Sequence, residues 1–218
     1  IKVAEDMTFT LTDCNGSRKT YHFKEKDNGL WVLDDSGEHE VVGGIITHAE
    51  DERSAGVSVL DGGKFIMYSG TIVGNTANGN GGGVFVESHA EFAMNGGAIT
   101  GNTGSSGAGV CVSPYRGGTF TMNGGTISHN TGAYGAGVSA GGTFTMNGGS
   151  ITGNKGTARG GGVDVNHIFV MNGGSITGNT VTDTYYSGAE GVGGGVYFGG
   201  TTFAVSGGAE ITGNTDKG

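Results

Sequence analysis

From Phe65 onward the apolar positions fall into a strict pattern. The unit Phe-x-Met-Asn-Gly-Gly-x-Ile-x-Gly-Asn runs from Phe92 to Asn102, from Phe144 to Asn154 and from Phe169 to Asn179. A copy from Phe120 to Asn130 has His129 in place of the last glycine; looser copies run from Phe65 to Asn75 and from Phe203 to Asn214. Successive phenylalanines stand 27, 28, 24, 25 and 34 residues apart. Between these units lies Gly-x-Gly-Val-x-Val, beginning at Gly81, Gly107, Gly135, Gly160 and Gly193, with Ala140 and Phe198 replacing the last valine in two copies. Each repeat thus holds three short apolar stretches that alternate with period two, as strands with one buried face do. Glycine pairs every few residues would cost a helix about 1 kcal/mol each, and no 3.6 period is present.

Three strands joined by glycine turns close one triangular coil, and repeats at this period stack coil on coil. The predicted fold is all-β, a right-handed parallel β-helix: a three-sheet solenoid of about eight coils. Phe, Met, Ile and Val should form continuous internal columns. The closing asparagines Asn75, Asn102, Asn130, Asn154, Asn179 and Asn214 should form a ladder, each amide donating to the next coil and each carbonyl accepting from the previous one.

Residues 1–64 differ. They carry 13 of the 20 acidic residues and 7 of the 11 basic ones, but 8 of the 50 glycines. Alternating stretches persist at Thr8–Leu11, Tyr21–Phe23, Trp31–Leu33 and Val57–Leu60, so 1–64 is read as irregular N-terminal coils of the same helix, and 65–218 as its regular repeats. A separate small N-terminal domain is the alternative.

Composition sharpens the picture. Apolar content of 34% is low for a globular core, but suffices when the apolar residues occupy stacked columns; disorder, the other reading of a glycine-rich chain, would not keep a strict period. A net charge of −9 disfavours nucleic acid and anionic membranes as partners, and no apolar run is long enough to span a bilayer. Cys14 and Cys111 are read as isolated thiols, since a solenoid keeps distant coils apart. The pattern begins and stops mid-repeat, which leads us to expect a segment of a longer chain whose uncovered coil ends promote end-to-end association.

The units Phe144-Thr-Met-Asn-Gly-Gly-Ser-Ile-Thr-Gly-Asn154 and Gly160-Gly-Gly-Val-Asp-Val165 carry a resemblance to the right-handed β-helix repeats of large surface proteins from gut Firmicutes and related bacteria. Leu11–Gly16 through Gly29–Asp34 also resembles the opening region of such proteins. More distantly, Gly96-Gly-Ala-Ile99 and Phe92-x-x-Asn95 are similar to chlamydial polymorphic membrane protein motifs, with a different motif order. The resemblance implies an extracellular setting, secreted or on the bacterial cell surface, and brings no catalytic residues.

The outward positions offer little chemistry. The middle residues of the Val-x-Val strands, Ser58, Phe85, Cys111, Ser139, Asp164 and Tyr197, include one carboxylate; those of Phe-x-Met include none. A polysaccharide-cleaving β-helix needs clustered carboxylates or a calcium cage, usually beside a cation. Asp164 with Arg159 and His167 is the best constellation, and is read as a polar trio on a solvated face. Asp34, Asp35, Glu38, Glu40, Glu50, Asp51 and Glu52 lack the spacing of a calcium loop and are read as a solvated acidic face. The six histidines show no metal spacing, so no metal and no cofactor are expected. Hydroxyls flanking the isoleucines raise an ice-binding alternative, weakened by Ala98 and Glu210. The longest loop, 180–192, carries Asp183, Tyr185, Tyr186 and Glu190, with Tyr134 at the same corner two coils earlier. These five are the candidate ligand-binding residues, since tyrosines beside carboxylates on a projected loop suit sugar or protein recognition. The expected role is a non-catalytic structural or adhesive module that engages a host glycan or host surface protein; a polysaccharide-active enzyme is the alternative.

Overall fold

The computed structural model describes residues 1–12, 20–26, 31–47, 54–115, 117–182 and 193–217. Period-two alternation sets its architecture. The Val-x-Val strands Val57–Val59, Val84–Val86, Val110–Val112, Val138–Ala140, Val163–Val165 and Val196–Phe198 stack in parallel behind Lys2–Val3 as a valine sheet. The strands Thr8–Leu11, Lys64–Met67, Glu91–Met94, Thr119–Met122, Thr143–Met146, Ile168–Met171 and Thr202–Val205 form a phenylalanine sheet. An isoleucine sheet runs from Ile45–Ile46 through Thr71–Val73, Ala98–Thr100, Thr126–Ser128, Ser150–Thr152 and Ser175–Thr177 to Glu210–Thr212. Among the described residues each of these three sheets has seven strands, one per coil, so the described solenoid has seven levels rather than about eight. The expected parallel β-helix, all-β and without a helix among the described residues, is the observed fold.

Register places like on like: Phe92 pairs with Phe65 and Phe120, and Met94 with Met67 and Met122. The stacked phenylalanine rings from Phe65 to Phe169 lie 4.7, 4.8, 4.9 and 5.1 Å apart, the spacing of neighbouring strands. Together with the buried Met, Ile and Val columns they make one continuous core. The second glycine of each Asn-Gly-Gly turn is obligatory. Gly149 has φ +87°, and a Cβ there would meet the Met122 Cε of the coil before at 2.6 Å. Gly97, Gly125 and Gly174 repeat this conformation and this close contact.

The asparagine ladder is present as expected. Nδ2 of Asn75, Asn102, Asn130, Asn154 and Asn179 donates to Oδ1 of the next member over 2.9–3.0 Å. Five of the six asparagines are fully buried, and only Asn214, on the last coil, is not. A second, exposed ladder of Asn95, Asn123, Asn147 and Asn172 runs beside it with 2.8 Å amide contacts; the asparagine after Met94, Met122, Met146 and Met171 marks it in the sequence.

Two features depart from three plain sheets. Thr131–Tyr134, Lys155–Arg159, Thr180–Thr182 and Thr215–Lys217 form a fourth parallel sheet at the corner between the isoleucine and valine sheets. It needs no apolar alternation, because each strand enters from a ladder asparagine: the Thr131, Lys155, Thr180 and Thr215 amides donate to the carbonyl of the ladder asparagine one coil earlier, all at 2.9 Å. The second departure lies between Leu11 and Ile45, where Thr20–Glu25 pairs antiparallel with Trp31–Leu33 and His39–Val42. This flap buries Phe23, Trp31 and Val41 against Val73, on the outer face of the isoleucine sheet. Trp31 lies on Gly101, where a Cβ would approach its Cδ2 to 2.2 Å, and it stacks on His39 with ring centres 3.7 Å apart.

Candidate functional site

The outer face of the valine sheet is not a solvated surface. Cys111, Ser139 and Asp164 stack in register on it, yet Asp164 is only 1% exposed and the other two are buried. The cause is the corner beside them. Isolated bridges and the fourth sheet align Asn80, Ser106, Tyr134 and Arg159 as one column, and this column forms a rim above the floor residues. Pro114, Gly141 and Asn166 line the cleft as well, which encloses about 190 Å³.

The Arg159 guanidinium organises the deep end. Its Nε donates to Asp164 Oδ2 at 3.1 Å, and Asn166 Nδ2 donates to the other oxygen at 3.3 Å. The guanidinium carbon lies 4.4 Å from the centre of the Tyr197 ring and 5.3 Å from that of Tyr134, cation–π distances. Burial pushes the Asp164 carboxyl above its ordinary range, and Arg159 and Asn166 oppose this without cancelling it. The Cys111 thiol is pushed up to about 12, first by burial and then by the Asp164 charge, so at neutral pH it is a packed thiol and not a nucleophile.

The structure sorts the candidates from sequence. Tyr134 lines the cleft and Arg159 and Asp164 form a pair, which replaces the reading of a polar trio on a solvated face. His167 does not join them; it is exposed, and its carbonyl accepts from the Thr201 hydroxyl at 3.2 Å. Asp183, Tyr185, Tyr186 and Glu190 lie outside the described residues, as do Cys14, Glu50, Asp51 and Glu52; Thr182, which precedes that loop, ends a strand of the fourth sheet. At the N-terminal end Asp34 Oδ1 accepts from the Ser36 hydroxyl and amide at 2.7 and 2.8 Å, which holds its carboxyl below the usual range. Among the described residues no three His, Cys, Asp or Glu side chains are grouped as metal ligands. Hydroxyl rows do form beside the isoleucines, Ser128 to Thr100 at 3.1 Å and Ser175 to Ser150 at 3.2 Å. Val73 interrupts them, and the flap packs on it.

Sequence reasoning missed the rim column and Tyr197 as a partner of Arg159. The signal was present: Asn80, Ser106, Tyr134 and Arg159 each stand immediately before a Gly-x-Gly-Val motif. No protein-family model matches the chain, and no curated protein or solved structure matches it either.

Proposed function

We propose that this chain is a non-catalytic structural and adhesive module of an extracellular bacterial surface protein, and that it holds a host glycan or host surface protein at the corner beside its fourth sheet. The observation that carries this reading is the cleft. A stacked, hydrogen-bonded scaffold projects Tyr134 and Arg159 over a floor of short polar side chains, and binding groups on rigid elements lose little freedom on engagement. The resemblance to surface repeats supports the setting. Asp164 is the one carboxylate among the described cleft residues and is already paired with Arg159, which supports binding over turnover. A glycan and host-protein array tests the reading. Binding should drop in Tyr134→Ala and in the loop double variant Tyr185→Ala with Tyr186→Ala, and undiminished binding in both would leave the domain a stalk.

The polysaccharide-active alternative draws on the Asp164 carboxyl, held toward its neutral form as a general acid must be. Release of new sugar ends from a polysaccharide panel, abolished in Asp164→Asn, would favour it. End-to-end self-association is a further proposal, drawn from the stacking repeat itself. Sedimentation that stays monomeric at rising concentration counts against it.

A further inference from the structure

We infer that the Arg159 end of the cleft is a subsite for the carboxylate of an acidic sugar residue, an inference that rests on the glycan-binding reading above. The Arg159 guanidinium is only partly engaged. Its carbon lies over the Tyr197 and Tyr134 rings, and its Nε is engaged by Asp164. Among the described residues this is the one hydrogen bond it makes, and the side chain remains 33% exposed. What remains is the Nη edge, a planar pair of donors whose spacing matches the two oxygens of a carboxylate. Asp164 fixes the orientation of that edge in advance, so little rotamer freedom is lost when an anion arrives.

The surroundings select the kind of anion. Arg159 is the one cation among the described cleft residues, the chain carries a net charge of −9, and Asp164 already engages the Nε side of the guanidinium. A singly charged carboxylate fits that field; a phosphate or sulfate ester would need more cations. Beyond Arg159 the rim continues as Tyr134, Ser106 and Asn80 over four levels, roughly 14 Å at the inter-strand spacing. Ser139 lies on the floor and Asn166 beside it. Short hydroxyl and amide groups in a row suit the ring hydroxyls of a sugar chain, and a row along the solenoid axis suits a linear one. An acidic peptide would also carry carboxylates, so a polyglutamate peptide is one arm of the experiment.

The experiment compares a trimeric uronate oligosaccharide with its methyl ester by titration calorimetry on the wild-type chain at low ionic strength. The acid should bind at least tenfold more tightly than the ester, and added salt should narrow the gap. Arg159→Gln should erase the preference, and Arg159→Lys should recover only part of it, because an ammonium has no planar fork. Since loss of Arg159 leaves Asp164 buried without its partner, the double variant Arg159→Gln with Asp164→Asn, checked for native circular dichroism, guards against a folding artefact and should also lack the preference. Equal binding of acid and ester, or no binding of the acid at millimolar concentration, overturns the inference. So does a polyglutamate peptide that binds as tightly as the uronate with the same dependence on Arg159. A neutral glycan from the array that binds wild type and Arg159→Gln alike would overturn the subsite and leave the glycan-binding function standing.

Discussion

Truncating one rung of the buried ladder separates the physical work of the inner asparagines from mere repetition. In Asn154, Nδ2 donates to Asn179 Oδ1 at 2.9 Å and to the Ile127 carbonyl at 3.0 Å, while Oδ1 accepts from both the backbone N–H and Nδ2 of Asn130 at 3.0 Å. In Asn154→Ala some partners are retained: Asn130 Nδ2 keeps the Ile99 carbonyl, and Asn179 Oδ1 keeps the residue-154 amide. The Asn130 backbone N–H loses its acceptor inside a site closed to water. One such orphan costs about 1–3 kcal/mol, and the side-chain hydrogen bonds lost with it add about 1 kcal/mol. We therefore expect about 2–4 kcal/mol of destabilisation. The control is Asn147→Ala in the outer ladder, which also removes one donated and one accepted amide contact, each of 2.8 Å. There water replaces the partners, and the expected change is within about 0.5 kcal/mol. Urea unfolding followed by circular dichroism reads both, with the dependence on denaturant compared to confirm that the cooperative unit is unchanged. If both variants shift the midpoint equally, or Asn154→Ala leaves it in place, buried satisfaction is not what the ladder contributes.

Two further outcomes follow from single contacts. Gly101→Ala places a Cβ 2.2 Å from the ring of Trp31 at a backbone φ of +61°; because Trp31 is the only tryptophan, the flap should lift and emission shift to the red while the β-sheet dichroism persists, and an unshifted maximum refutes the packing argument. Asp164 has a folded pKa raised above its ordinary 3.8, chiefly by burial. Its contribution is complete below 3.8 and lost as pH rises through the folded value, so unfolding at stepped pH should show Asp164→Asn gaining on wild type across that window, and a pH-independent difference would contradict it.

Much of the solenoid was legible because its contacts are one-dimensional. Each residue meets its own counterpart one repeat away, so Phe92 against Phe120 follows from the period alone. The flap was not legible for a related reason. Tyr21-His22-Phe23 and Trp31-Val32-Leu33 alternate as the coil strands do, and period two reports one buried face without saying what covers it. Trp31 finds Gly101, far along the chain, through a missing side chain and not through a pattern. The fourth sheet was hidden because its strands stack through backbone groups handed over by the ladder asparagines, which leaves Thr131–Tyr134 and Lys155–Arg159 free to vary in side chain.

That freedom is why the cleft arises where it does and why it was misread. Asp164 is outward on its own strand, and an outward carboxylate on an open sheet would be solvated. The rim raised by the fourth sheet turns the same position into a floor. Distance along the chain is then a poor guide: His167 is three residues from Asp164 and lies outside, whereas Tyr134 is thirty residues away and lies over it. The useful coordinate is phase within the repeat. At the phase just before Gly-x-Gly-Val the chain reads Asn80, Ser106, Tyr134 and Arg159, from an amide and a hydroxyl to an aromatic ring and a guanidinium. The turn that follows is constrained at every level, as the positive φ of Gly81, Gly107, Gly135 and Gly160 records, so the backbone repeats while the rim does not. The aromatic and charged side chains accordingly collect toward the Arg159 end, on levels whose fold is indistinguishable from the rest.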